Sequence, residues 1–388
     1  MLEPTDPLSG AEQLRYARHL SLPEIGLAGQ HRLRQASVLV IGAGGLGSSA
    51  LLYLAAAGVG RLGIIDPDHV ELSNLQRQIL YTTADCGRAK VEAARAHLLA
   101  LNPHLQIETY PEAFTLANAA QLIAGYDLII EGSDRFATKY LVNDACVLAG
   151  KPYIGASIRA FSGMLAVYAA PQGPCYRCLF PEMPDPATIP SCAQAGVLGV
   201  VPGLLGVLQA HEALKLILDI GEPLIGTLLT VDALTLRFQT LRLPRDPDCP
   251  ACGAAPTIRV FAEAPAACVA GATLENGAEA LPWLSLELSR GRPGLRWIDI
   301  RTPAEFAAGH IPGAIHAPLD QIEAFAAQVG PDDDLLLYCQ AGARTVQAYH
   351  RLKRTLHGRL SLLDGGYEAW LRSQGYDGRP ADQEAARR

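Results

Sequence analysis

Charge and aromatic rings are scarce in this 388-residue chain: Asp, Glu, Lys and Arg make up 18% of it, Phe, Trp and Tyr only 6%. At a formal net charge of -7 it lacks the basic surplus that displaces counterions from a nucleic-acid backbone, so no nucleic-acid partner is expected. No low-complexity tract or internal repeat interrupts it, and 49% apolar residues suit a folded globular protein. A long hydrophobic run is missing too. The most apolar stretch, residues 195–208, is broken by Pro202 and several glycines and falls short of the ~18 residues that span a bilayer. It is expected to be a buried segment, with no membrane partner. The N-terminus, MLEPTDPLSGAEQ, shows no basic region leading into an apolar core, which predicts no secretory signal and a cytoplasmic location. In that reducing compartment the 9 cysteines are expected to be metal ligands, nucleophiles or core residues, not disulfides.

Single cores stop growing near ~250 residues, so the length predicts two domains. SVLVI, GAGGLG, SSALLYLAAAG and LGIID follow one another as strand, glycine loop, helix and strand, the opening of a parallel sheet. Strand YDLIIEG, helix RFATKYLVNDACVLAG, strand KPYIGAS and a hairpin-like GMLAVYAA continue the alternation, which favours a doubly wound α/β domain over residues 10–252. Residues 253–280, rich in Ala, Gly and Pro, are read as a linker with a root-mean-square reach of roughly 30 Å. A second, smaller α/β pattern spans 281–380: strands WIDI, LLLYC and LSLLD alternate with helices starting near Thr302, Ala343 and Gly366.

Gly42, Gly44 and Gly47 lie between strand and helix, where absent side chains let backbone N–H groups approach a phosphate at the positive helix end. Asp66 ends the next strand, as does the carboxylate that bonds ribose hydroxyls in dinucleotide enzymes. Up to this point an NAD-dependent oxidoreductase fits equally well. SNLQRQ and Lys90 then add an amide and two cations that hydride transfer does not need. An ATP α-phosphate under attack does, with Arg77 and Lys90 neutralising charge and Asn74 orienting an oxygen; a solvated basic face is the alternative. Asp134, at the end of another apolar strand, is placed to hold Mg²⁺ against phosphates or to cap the helix that follows.

GAGGLG, Asp66, SNLQRQ, Lys90, the SD of EGSD with YLVNDAC, and RYARH together resemble the MoeB/ThiF family of ubiquitin-activating-like adenylyltransferases, over roughly residues 10–252. That resemblance implies a Rossmann-like fold whose ATP site takes in Gly45, Asp66, Ser73, Asn74, Leu75, Gln76, Arg77, Lys90, Asp134 and Arg135. It also implies a homodimer in which Arg18 crosses to the partner's site. Family members often carry Asn where this chain has Arg135.

Cys175-Tyr-Arg-Cys178 and Cys249-Pro-Ala-Cys252 form two C-x-x-C knuckles, each beside Pro or Gly, which suits structural Zn²⁺ held by four thiolates. Cys192 stands alone in a polar loop. It is either a packed cysteine or, by the resemblance, a residue that takes the activated carrier as a thioester or acyl-persulfide. Cys146 reads as core; Cys86 and Cys268 carry no signal.

Cys339 ends an apolar strand and opens the loop CQAGAR, which runs into a helix. Backbone N–H groups and the helix N-terminus there lower a thiol's pKa and can cradle a persulfide anion, with Arg344 adding fixed positive charge. IDIRTPAEF, GHIPGAIHAPL and LLDGGYEAW resemble the motifs of rhodanese domains. Phosphatases of that fold use a wider Cys-x5-Arg loop, so the Cys-x4-Arg spacing here favours sulfur.

Taken together, the resemblances imply an adenylyltransferase and sulfurtransferase. ATP would adenylate the C-terminal Gly-Gly of a ubiquitin-like sulfur-carrier protein, and a persulfide on Cys339 would convert it to a thiocarboxylate, in molybdopterin or thiamin biosynthesis. The sulfur donor would be a cysteine desulfurase or thiosulfate. A non-catalytic scaffold is the remaining rival, and it has no use for Asp134, Lys90 and the Cys-x4-Arg loop at once.

Overall fold

The computed structural model describes residues 7–183, 196–259, 282–340, 342–353, 356 and 358–374. The chain folds as two compact units, Met1–Val269 and Ala270–Arg388.

In the first unit, β1 (Ser37–Ile41) is buried at every position, as expected of a strand covered on both faces. It pairs in parallel with β2 (Arg61–Ile65) on one side and with β4 (Leu128–Glu131) on the other. With β3 (Gln106–Tyr110), β5 (Tyr153–Arg159), β6 (Ser162–Tyr168), β7 (Thr227–Asp232) and β8 (Arg237–Arg242), the sheet runs β3-β2-β1-β4-β5-β6-β7-β8. The first five strands are parallel; β6, β7 and β8 follow as an antiparallel meander. Neighbours on both sides of β1 place the topological switch point at its carboxyl end, where sheets of this kind bind ligands. The register fixes that edge: Ile41 lies opposite both Ile65 and Glu131. Gly42, Asp66 and Gly132 therefore leave the sheet side by side. Two apolar clusters form the core, one on each face.

The apolar stretch expected over 195–208 is displaced. It belongs to a helix, Val200–Leu218, and Ala195 lies outside the described residues. Pro202 sits in the first turn, where its missing N–H costs no helical bond. Gly203 and Gly206 are seats for the Gly45–Ala57 helix: a Cβ on Gly206 would strike the Leu46 carbonyl oxygen. Among the described residues this is the one helix long and apolar enough to cross a membrane by length and composition, yet it packs inside the unit as a core element.

The second unit is a parallel sheet in the order β11-β10-β12-β13-β9, from β9 (Trp283–Leu284), β10 (Leu295–Asp299), β11 (Ile315–His316), β12 (Asp334–Tyr338) and β13 (Arg359–Leu363). Helices Pro303–Ala308, Ala343–Leu352 and Gly366–Ser373 follow three of its strands. Thr302 caps the first of them in a reciprocal box with Glu305. The α/β architecture expected for both parts is what the chain adopts.

Candidate functional site

At the carboxyl edge of the first sheet, Gly42 has φ 91°, a conformation that penalises any side chain. A Cβ there would lie 3.0 Å from the Gly132 backbone, and one on Gly47 would collide with the Gly42 carbonyl oxygen. The loop therefore closes onto its own helix, Gly45–Ala57, which has no side-chain cap at Gly44. Orphan N–H groups at that helix end are free to meet an anion. Asp66, 6% exposed, accepts from the Ala43 N–H at 2.7 Å and the Asp68 N–H at 2.9 Å. Each oxygen keeps a lone pair for a ribose hydroxyl. Burial raises this carboxyl above its ordinary range, opposed by the Lys90 charge and the two N–H groups. Lys90 begins the Lys90–Leu101 helix, is itself buried, and donates to Asp68 Oδ2 at 2.9 Å.

Ser73, Asn74, Leu75, Gln76 and Arg77 form a short turn that crosses this edge. Arg77 Nη1 donates to the Ser73 carbonyl at 3.2 Å, and a Cβ on Gly45 would lie 3.5 Å from Arg77 Cγ. Asp134 and Arg135 are exposed on the loop leaving β4. The capping role weighed for Asp134 is corrected: the N-cap of the Phe136–Ala149 helix is Arg135, and no side chain caps it. Asp134 stands one residue earlier. Arg18 is exposed on the short helix Ala17–Leu20.

Cys175, Cys178, Cys249 and Cys252 converge, their sulfurs all within 4.8 Å of one another. Close pairs measure 3.5 Å for Cys175–Cys249 and 3.4 Å for Cys178–Cys252. Tetrahedral Zn–S bonds of ~2.3 Å need sulfurs about 3.8 Å apart, so the donor set fits zinc. The Cys175 and Asp246 N–H groups both donate to Cys178 Sγ at 3.4 Å. Hydrogen bonding with Cys175, reinforced by those donors, draws the Cys178 thiol well below its ordinary range.

In the second unit Cys339 follows β12, 1% exposed, and its sulfur accepts from the Gly342 N–H at 3.1 Å. Gly342 has φ 106° and N-caps the Ala343–Leu352 helix without a side chain, while Trp283 would meet any Cβ on it at 3.4 Å. Arg344 lies in the first turn and is gripped by Glu305 at 2.8 and 2.6 Å. That guanidinium, with the Thr302 donors, holds the Glu305 carboxyl at about 2 despite partial burial. Arg301, paired with Asp299 at 2.7 Å, reaches the loop through Gln340 Oε1 at 3.2 Å. Cys192 lies outside the described residues.

These two arrangements have counterparts in known proteins. The model of the ThiF family matches residues 16–251, and that of the rhodanese-like domain matches residues 282–373. The chain belongs to the ThiF family. Among relatives of this ThiF-family chain, the probable adenylyltransferase/sulfurtransferase MoeZ of Mycobacterium tuberculosis is 42% identical over 388 residues, 96% of each chain. The sulfur carrier protein adenylyltransferase of Thermus thermophilus is 51% identical over 259 residues, 66% of this chain and 96% of its own. The adenylyltransferase and sulfurtransferase MOCS3 of Sus scrofa is 46% identical over 334 residues, 83% and 73%. The crystal structure of E. coli MccB with ATP shares the fold at TM-score 0.54 and 24% identity, over 61% of this chain and 74% of that one. This ThiF-family chain is an adenylyltransferase and a sulfurtransferase, which sets aside the dehydrogenase and scaffold readings.

Several residues that shape the sites of this ThiF-family protein gave no signal in the sequence. Tyr81 is buried and donates to the Ala43 carbonyl at 2.8 Å, clamping the glycine loop from the side opposite Asp66. Glu131 accepts from the Ser133 N–H at 2.8 Å and from Lys139 Nζ at 2.5 Å, tying down the loop that carries Asp134. Thr345, fully buried, sits 3.8 Å from Cys339 Sγ and donates to the Gly342 carbonyl. Glu305 is legible only in part: its Thr-x-x-Glu spacing signals a cap, while its second partner comes from a distant helix.

Proposed function

We propose that the chain adenylates the C-terminal Gly-Gly carboxylate of a ubiquitin-like sulfur carrier and then sulfurates it. The observation that carries this is the shared register of β1, β2 and β4, which sets Gly42, Asp66 and the approach to Asp134 along one edge. The same chain holds a thiol facing a backbone N–H at an uncapped helix end. A relative named as a sulfur carrier protein adenylyltransferase supports the carrier as substrate.

In this reading Gly42, Gly44, Gly45 and Gly47 receive ATP phosphates, Asp66 holds the ribose, and Ser73, Asn74, Leu75 and Gln76 border the nucleotide. Arg77, Lys90 and Arg135 offset charge on the α-phosphate. Asp134 would hold Mg²⁺, which supplies further neutralisation there. The carrier carboxylate attacks the α-phosphorus, the bond to pyrophosphate breaks, and an acyl-adenylate remains. The terminal sulfur of a Cys339 persulfide then attacks the acyl carbon and AMP leaves. A thiolate, assigned to Cys192, cleaves the sulfur–sulfur bond, releasing the carrier thiocarboxylate and leaving a disulfide that an external thiol reduces. Arg344 offsets the persulfide's charge. Cys175, Cys178, Cys249 and Cys252 would hold Zn²⁺, clamping the Cys175–Cys178 turn to the Cys249–Cys252 turn.

Arg18 is assigned to the partner's ATP site in a homodimer. The cell compartment is the cytoplasm, the pathway molybdopterin or thiamin biosynthesis, and the sulfur donor a desulfurase or thiosulfate. Incubation with a candidate carrier and ATP should give carrier-dependent ATP–pyrophosphate exchange. With a sulfur donor present, the carrier's mass should rise by the difference between sulfur and oxygen. Exchange that ignores every Gly-Gly carrier would refute the reading.

A further inference from the structure

Two guanidiniums approach the Cys339 loop, and both are already matched by carboxylates. Arg344 gives both Nη groups to Glu305, and Arg301 gives Nε and Nη2 to Asp299 while its Nη1 donates to Gln340 Oε1. A third carboxylate, Glu368, accepts from Gln340 Nε2 at 3.2 Å. The side chains around the loop thus carry three negative charges against two positive. With the Arg344 charge shared between Glu305 and Cys339, the rest of the attraction for an anion comes from the Gly342 N–H and the end of the Ala343–Leu352 helix, worth roughly half a unit charge. That suits a singly charged sulfur species better than a doubly charged one. Glu305 is ionised throughout the physiological range, so Arg344 is not released by pH.

We propose that Glu305 is a specificity-determining residue for the sulfur donor: by occupying the Arg344 guanidinium it disfavours dianionic thiosulfate and favours a monoanionic or neutral persulfide. The inference rests on the reading of Cys339 as the sulfur-accepting nucleophile. In the favoured reaction the Cys339 thiolate attacks the terminal sulfur of R–S–SH, a new sulfur–sulfur bond forms and the donor's breaks. R–S⁻ leaves and takes up the proton of the transferred sulfur, so the products are Cys339–S–S⁻ and R–SH. With thiosulfate the same attack expels sulfite, and its dianionic charge must enter beside Glu305.

Glu305→Gln in the full chain removes the charge while keeping a residue that closes the Thr302 capping box. The KM for thiosulfate in sulfur transfer to cyanide should fall by about tenfold, with kcat little changed, since one unit charge at such range acts on a dianion. The KM for the persulfide of 2-mercaptoethanol should change less than about twofold, and added salt should shrink the thiosulfate gain. In the double variant Glu305→Gln/Arg344→Gln the gain should vanish. Glu305→Leu carries the same test should the amide variant fail to fold. An unchanged thiosulfate KM in an active Glu305 variant, an equal fall for both donors, or a gain that survives loss of Arg344 would overturn the proposal. Cys339→Ala checks the underlying reading separately: sulfur transfer that persists in it removes the nucleophile, whatever Glu305 does.

Discussion

The loops after β1 and β12 are built on one plan and put to different uses. Each follows a buried parallel strand, bends through a glycine of positive φ (91° at Gly42, 106° at Gly342), and enters a helix whose N-terminus has no side-chain cap. The first loop carries no reactive side chain, and its charges arrive from other segments: Asp66, Arg77, Lys90 and Asp134. The second brings a buried thiol and a cation within one short motif, Cys339 to Arg344. An anion that is bound and released needs donors spread over a wide edge; a sulfur that becomes covalently attached needs one thiol and a small cradle. The chain holds both solutions, so each can be broken without the other.

Cys339→Ala gives the largest separation. Sulfur transfer from thiosulfate and carrier thiocarboxylate should fall at least ~10³-fold, as for loss of a covalent nucleophile. Carrier-dependent pyrophosphate exchange should stay at the wild-type rate, and a parallel loss of exchange would show that the loops are not independent. Asp134→Ala is the mirror image. Adenylation should drop by ~10²–10³-fold while sulfur transfer from thiosulfate to cyanide is untouched; full exchange activity would remove Asp134 from the site.

Cys178→Ser tests the scaffold behind the first loop. The native chain should hold one zinc, and this variant should lose metal and several kcal/mol of stability in the first unit only, read as a lowered first melting transition. The smallest effect concerns Glu305. Its folded carboxyl sits at about 2, below the unfolded value, so its ion pair adds stability that is fully present above pH ~4.5 and is lost as pH falls towards 2. With side chains 16% and 33% exposed, screening limits the gain to about 1 kcal/mol. The melting difference between native chain and Glu305→Gln should therefore be small at pH 7 and close as the pH approaches 2; a gap that widens in acid would contradict the assignment.

What the sequence reveals follows from how local each feature is. The glycine loop, the two C-x-x-C pairs and the Cys-x4-Arg loop are each written within a few consecutive residues, and the four thiols converge as their spacing predicts. Glu305 and Arg344 meet from separate helices, Tyr81 reaches back to Ala43, and Lys139 bridges Glu131 and the Ala156 carbonyl. No periodicity announces such pairings, because each depends on which strands become neighbours. The helix Val200–Leu218 was obscured for another reason: Pro202 and the glycines read as breaks, although one lies in a first turn and Gly206 gives the close approach of two helices. The strands Thr227–Asp232 and Arg237–Arg242 went unread as well, the second being exposed along its whole length and so without an alternating apolar signature.

The alignment of Ile41 with Ile65 and Glu131 also bears on where this protein can tolerate lengthening. One residue inserted within β4 would turn Glu131 to the other face of the sheet, part it from Lys139 and carry Asp134 about 3.3 Å along the strand direction. The hairpin turn between β7 and β8, with Leu234 and Leu236 exposed, takes part in no such alignment. Extra residues, tags or whole inserted modules belong at that turn, where the edge that gathers Gly42, Asp66 and Asp134 keeps its spacing.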